Sequence, residues 1–120
     1  MFSQQTMFFF SNPAHAGRLE DATHYGVAGA PGDGPSMEFW LRVEGETVTA
    51  ARWRSYGCPG AISCAEAVCR VAEGRTLEAL RRLEPDEIDL LAGRLPEGKA
   101  HCPQLAATAL KSARLMEERR

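Results

Sequence analysis

Between Ser36 and Tyr56 the chain alternates with period two. Met37, Phe39, Leu41 and Val43 are separated by largely polar neighbours, the pattern breaks at Glu44-Gly45-Glu46-Thr47, and Val48, Ala50 and Trp53 take it up again. Alternation of this kind marks half-buried strands, and the glycine-containing interruption predicts a β-hairpin. Downstream the spacing becomes helical. Ile62, Ala65, Cys69 and Ala72 share one face of a segment that follows Pro59 and stops at Gly74. A short helix is predicted from Thr76, and another from Pro85, where acidic residues follow the proline. The final stretch from Pro103 repeats Leu105, Ala109, Ser112 or Ala113, and Leu115 or Met116, an amphipathic helix expected to fray into the charged tail at Arg119 and Arg120.

Upstream of the hairpin, "NPAHAGRLEDATHYGVAGAPGDGP" is rich in Gly, Pro, Asn and Asp, so it predicts loops and turns with one short strand around "HYGVAGA". Strands first and helices afterwards predict an α+β fold, a small antiparallel three-stranded sheet packed against helices on one side. At 120 residues the expectation is one domain, residues 1–120, with one core.

Composition narrows the partners. A formal net charge of −2 supplies no broad electrostatic footprint for nucleic acid or for anionic lipid, so neither is expected. The N-terminus "MFSQQTMFFFSNP" has no basic region followed by a sustained apolar run, and no segment approaches a membrane span. The expected location is the cytoplasm, where thiols stay reduced. The four cysteines are therefore read as ligands, reactive groups or core fillers rather than disulfides.

Two of those cysteines share a context. Cys58 and Cys102 each precede a proline that opens a predicted helix, "GCPGAIS" and "HCPQLAA", which places both thiols at N-caps. Cysteine is not a preferred cap, so capping does not explain its use there twice. Unpaired N–H groups and the partial positive charge of a helix start favour thiolate, the form that binds metal or attacks sulfur. His101 adjoins Cys102 and could add an imidazole nitrogen, while the loop "GAPGDGPS" could bring in Asp33, its flanking glycines permitting tight turns. Asp33, Cys58, His101 and Cys102 would make a four-ligand set suited to zinc or an iron–sulfur centre. Asp33 reads equally as a turn residue bonded to its own backbone. Cys69 falls on the apolar helix face and reads as core. Cys64 lies off the ligand pattern, and His15 and His24 read as solvated loop side chains. The aromatic run Phe8 to Phe10 could either anchor on the sheet or form a partner surface.

"NPAHAGRL", "GVAGAPGDGPSM", "SYGCPGAIS" and "LPEGKAHC" occur in that order over most of the chain. Together they resemble the U-type iron–sulfur cluster assembly scaffolds, the IscU/NifU/SufU family. The resemblance implies a non-enzymatic platform: a cysteine desulfurase delivers sulfur, an iron donor supplies iron, and a transient [2Fe–2S] cluster is built and passed to recipient apo-proteins. Zinc binds the same site in the family. The family's ligand positions match Cys58, His101 and Cys102, whereas its loop cysteine aligns with Asp33 and its loop aspartate with Pro35. A carboxylate is harder than a thiolate and shifts preference towards zinc or ferrous iron. The connector "LPEGK" resembles the motif that some members present to a dedicated chaperone but departs from the "LPPVK" form, so it does not by itself imply chaperone recognition. The long insertion of the SufU branch is missing between Cys58 and Cys102, which places the chain nearer the IscU and NifU branches. Two other readings compete. One is a zinc-holding, cluster-incompetent relative that acts as partner or regulator of the desulfurase. The other is a thiol enzyme in which His101 activates a cysteine, for which the sequence offers neither an orienting third group nor an oxyanion site.

Overall fold

The computed structural model describes residues 1–116, so the predicted fraying at Arg119 and Arg120 lies outside the described residues. The expected hairpin is β2 (Ser36–Glu44) and β3 (Thr47–Tyr56), and the short strand is β1 (His24–Gly29). All pair antiparallel, but the sheet has four strands rather than three, in the order β3-β2-β1-β4, because Arg114–Leu115 (β4) pairs with His24 and Tyr25. The last helix therefore ends earlier than its apolar spacing predicts.

That early end has a local cause. The helix carrying the final repeat stops at Lys111, and Ser112 Oγ then works on the backbone of β1: it accepts from Val27 N–H at 2.8 Å and donates to Val27 O at 3.0 Å. One turn later Met116 N–H donates to Thr23 O at 2.8 Å. The free main chain at the border of β1 thus recruits Arg114 to Met116 away from helix, as buried or half-buried backbone groups require partners.

The inward faces of the strands carry Met37, Phe39, Leu41, Val48, Ala51 and Trp53, all buried. Ala50, expected on that face, points outward. Thr49 is an extra residue in β3 where the register shifts between Arg42 and Val43, and a one-residue bulge turns every following side chain to the other face. The outer face is not bare. Trp40 is buried there between the guanidinium groups of Arg18 and Arg54, 5.8 and 5.4 Å from its ring centre.

Five helices complete the described chain: α1 (Gln4–Ser11), α2 (Pro59–Ala72), α3 (Leu77–Arg81), α4 (Pro85–Leu91) and α5 (His101–Lys111). α2 packs on β3 and α5 on β1 and β2, with α1 and α4 outside them, so the helices cover one side of the sheet. Thr76 caps α3 by accepting from Ala79 N–H, and Glu87 accepts from the Glu84 N–H ahead of α4. α2 is buried well beyond its predicted stripe; Gly60, Ala61, Ser63, Cys64, Ala67 and Val68 are also enclosed, since small residues let neighbours approach from every side. None of the described helices is long and apolar enough to cross a membrane.

α1 is a helix that periodicity did not predict, because polar groups rather than an apolar stripe attach it. Thr6 Oγ1 donates to Ala92 O at 2.6 Å, Ser63 Oγ donates to Thr6 O at 2.7 Å, and Gln5 Nε2 donates to Leu91 O at 2.8 Å. The aromatic run does not lie on the sheet; Arg70 of α2 stacks over Phe8 and Phe9.

Candidate metal centre

β3 leads through Gly57 straight into Cys58, the N-cap of α2, whose extended backbone (φ −81°, ψ 173°) precedes Pro59 at the first helical position. Pro59 has no N–H to waste and starts the helix with its fixed φ. The predicted N-cap therefore holds for Cys58. It does not hold for Cys102. α5 begins at His101 with Ala100 as its cap, which puts Cys102 one position inside the first turn and Pro103 after it. The chain is already coiling at the connector, where Lys99 N–H reaches Pro96 O and Cys102 N–H reaches Lys99 O, and proline is tolerated throughout a first turn.

The two helix starts converge. Cys58 Sγ and Cys102 Sγ lie 3.6 Å apart, and His101 Nε2 lies 3.5 Å from Cys102 Sγ. Ligand atoms of all three residues fall within 4.8 Å of one another. Two thiolates at about 2.3 Å and an imidazole nitrogen at about 2.0–2.1 Å around a tetrahedral ion would stand about 3.8 Å apart sulfur to sulfur and about 3.5 Å apart nitrogen to sulfur. Two edges of the donor triangle, Cys58–Cys102 and Cys102–His101, thus match tetrahedral coordination, and the third, His101–Cys58, closes within 4.8 Å.

Gly60 makes the convergence possible. A Cβ at that position would meet Cys102 Sγ at a tight 3.2 Å, with Leu95 Cδ1 at 3.4 Å and Cys58 Sγ at 3.5 Å in ordinary contact, so a side chain there would crowd the Cys102 sulfur. The sequence contains this signal, a glycine two residues after Cys58, but only the fold shows what it accommodates.

The two thiols differ. Burial acts to raise the Cys58 pKa, yet the Ala61 N–H, the Cys102 thiol, the Gly60 N–H and the Lys99 ammonium outweigh it, and the net shift is downward from 9.0. Cys102 is fully buried, and burial followed by its proximity to Cys58 pushes it up to about 12. Cys58 ionises first and is the half-exposed partner. Lys99, which sequence reading treated only as part of a connector, stands close enough to favour the thiolate of both.

Asp33 lies apart from this group. Pairing of Ser36 with Tyr56 brings the β1–β2 turn to the end of the sheet from which Cys58 leaves, so the turn is at the correct pole. Gly32 and Gly34 take the positive φ values the loop needs, 87° and 92°, and Asp33 N–H donates to Ala30 O at 2.9 Å. Its carboxylate is exposed and outside the 4.8 Å cluster of the other three donors.

The remaining candidates are structural. Cys64 and Cys69 are buried in α2, and burial raises the pKa of each far above the usual thiol range. His15 is not a free loop side chain: its Nδ1 is 2.8 Å from Glu66 Oε2 and its backbone N–H donates to Glu66 Oε1 at 3.0 Å. Glu66 is fully buried in α2 and also accepts from Trp53 Nε1 and Arg70 Nε, both at 2.8 Å. His24 sits half-buried on β1 against Thr23 Oγ1, its pKa lowered by burial and by Arg81.

Comparison with known proteins identifies the family. The NifU-like N-terminal domain family model matches residues 1–119. The iron–sulfur cluster assembly scaffold protein IscU 1 of Archaeoglobus fulgidus is 32% identical over 113 residues, covering 94% of this chain and 74% of the relative. The nitrogen fixation protein NifU of Cereibacter sphaeroides is 36% identical over 104 residues, 87% of this chain and 42% of that longer protein. Among solved structures, a candidate SUF-system scaffold from Fervidobacterium islandicum superposes with a TM-score of 0.65 over 92% of this chain and 93% of that one; at 14% identity it speaks for the fold. With that family model matching nearly the whole chain, and with an IscU scaffold protein and a NifU nitrogen fixation protein among its relatives, the chain belongs to the NifU-like N-terminal domain family.

Proposed function

We propose that residues 1–120 act as one cytoplasmic, non-enzymatic domain on which an iron–sulfur cluster is assembled. Cys58, Cys102 and His101 bind the nascent cluster, with Asp33 as the outer ligand from the facing turn, and the same donors accept zinc. The cluster is cargo: sulfur comes from a cysteine desulfurase, iron from a donor protein, and the finished [2Fe–2S] unit leaves for recipient apo-proteins. The carrying observation is the preformed set of Sγ–Sγ and Sγ–Nε2 separations at 3.6 and 3.5 Å. Cys58, the partly exposed thiol of the two, is the one an incoming persulfide meets. Its thiolate attacks the outer sulfur, the S–S bond of the donor breaks, and the desulfurase cysteine leaves as thiolate.

A site at a helix cap and a first helical turn, with Cys58 partly exposed, suits cargo that must depart. Anaerobic reconstitution with iron, cysteine and a desulfurase tests the reading. Visible charge-transfer bands and acid-labile sulfide retained by the chain, and transferable to an apo-ferredoxin, are expected. A colourless zinc form that never takes up sulfide would replace it with the zinc-holding regulator, the reading favoured by a carboxylate at position 33.

A further inference from the structure

The Cys58 and Cys102 sulfurs are in contact at 3.6 Å, yet both cysteines are free. A disulfide bond is about 2.05 Å long, so closure requires the sulfurs to approach by roughly a further 1.5 Å. The surroundings allow this. Gly60 leaves the space beside both sulfurs without a side chain. Cys58 precedes the first helical residue, outside the regular turns of α2, and is partly exposed. Cys102 is fixed on the first turn of α5 and buried. An accessible thiol beside a sheltered one is the arrangement in which the first takes an oxidant and the second resolves it.

We propose that the Cys58–Cys102 pair is a site of reversible oxidative modification, closing to an intramolecular disulfide when a peroxide reaches the metal-free chain. The Cys58 thiolate attacks one peroxide oxygen, the O–O bond breaks, and Cys58 becomes a sulfenic acid while the leaving oxygen departs as hydroxide. Cys102 then attacks the Cys58 sulfur, forming the S–S bond; its proton and the sulfenic hydroxyl leave as water. Two thiols lose two electrons and two protons, and the peroxide is reduced to two waters. A dithiol reductant reverses the change by thiol–disulfide exchange. Because the same two sulfurs are donors in the proposed metal centre, the oxidised chain keeps only His101 of the clustered set. The consequence for loading rests on that function; the modification itself does not.

The test is peroxide treatment of the reduced, metal-free 120-residue chain, followed by intact mass and peptide mapping. Expected are a loss of about 2 Da, a Cys58–Cys102 cross-link within one chain, and full reversal by dithiothreitol. Cys64→Ser and Cys69→Ser should react like the parent, and Cys58→Ser should lose the cross-link. A bond mapped to Cys64 or Cys69, intermolecular dimers alone, or mass gains without a cross-link would overturn the proposal. Zinc binding by the reduced chain is measured in parallel. If it is absent the metal-centre reading fails, while the cross-link map still decides this one; if present, bound zinc should slow disulfide formation at least tenfold.

Discussion

Gly26 of β1 and Ala109 of α5 meet backbone to backbone: a Cβ on Gly26 would stand 2.2 Å from the Ala109 carbonyl oxygen and 3.1 Å from the Cα and N of Ala113. This contact sets how closely the helix carrying His101 and Cys102 lies on the sheet that delivers Cys58. Gly26→Ala should push α5 outward and destabilise the chain by about 2–3 kcal/mol, as overpacking against rigid backbone does. Urea unfolding gives the loss, and zinc titration should show weakened binding because the two helix starts no longer register.

Removing either sulfur should abolish the donor triangle. Cys58→Ser and Cys102→Ser are each expected to lower zinc affinity at least a hundredfold, since serine is a poor ligand at neutral pH. Cys69→Ser, buried away from the cluster, should leave affinity near that of the parent. Competition with a chromophoric chelator distinguishes the three; equal affinity in all would refute the site.

Metal binding must displace the protons these thiols hold. Cys58 lies below 9.0 and Cys102 is pushed up to about 12, so at pH values just under that of Cys58 both are protonated in the empty chain. Zinc affinity should rise by about a hundredfold per pH unit there and by about tenfold per unit once Cys58 is ionised. Affinity measured across that interval in weakly coordinating buffers checks the change of slope.

Glu66 joins the loop before β1, strand β3 and helix α2 through its contacts with His15, Trp53 and Arg70. Burial alone would raise its pKa, but the hydrogen bonds from Trp53, His15 and Arg70 prevail and hold it below 4.5. With the folded value depressed, the carboxylate contributes its full stability above about pH 4.5 and loses it as pH falls through the lower folded value. Glu66→Gln should cost about 2–4 kcal/mol at neutral pH. Its unfolding free energy should also fall less steeply than the parent's below pH 4.5, as denaturant melts at a series of acidic pH values would show.

Asp33→Cys restores sulfur at the outer position of the turn. It is expected to prolong retention of a reconstituted cluster several-fold, and Asp33→Ala to shorten it. Identical retention times in the parent and both variants would place Asp33 outside the site.

Much of this was legible because the relevant signals are local. The hairpin shows in the alternation of Met37, Phe39 and Leu41, the start of α2 in Cys58-Pro59, and the close of the glycine loop in residues that need positive φ. What stayed hidden depends on contacts between distant segments. α1 is held by Thr6 and Gln5 reaching the carbonyls of Leu91 and Ala92, which no periodicity encodes. The end of α5 is fixed by the unmet backbone of β1 rather than by anything after Lys111 except Ser112. The bulge at Thr49 reversed the facing of Ala50 without altering the composition of the strand. At the site, sequence supplied the ligand types but not their reach, and it missed both the bare Gly60 and the charge of Lys99 beside the sulfurs.

The Ser112 clasp on Val27 bears on how other proteins can approach. Its hydroxyl occupies the donor and the acceptor that a foreign strand would use, just beyond the stretch already taken by Arg114 and Leu115. On the opposite border, Val48 is engaged by Gly74 and Arg75, and Trp53 by His15 and Gly17. An extended peptide finds little main chain to zip onto along either margin. Docking by strand addition is thereby disfavoured at both margins, and substituting Ser112 would expose a sticky flank at β1 while leaving the pole that carries Cys58 and Cys102 untouched.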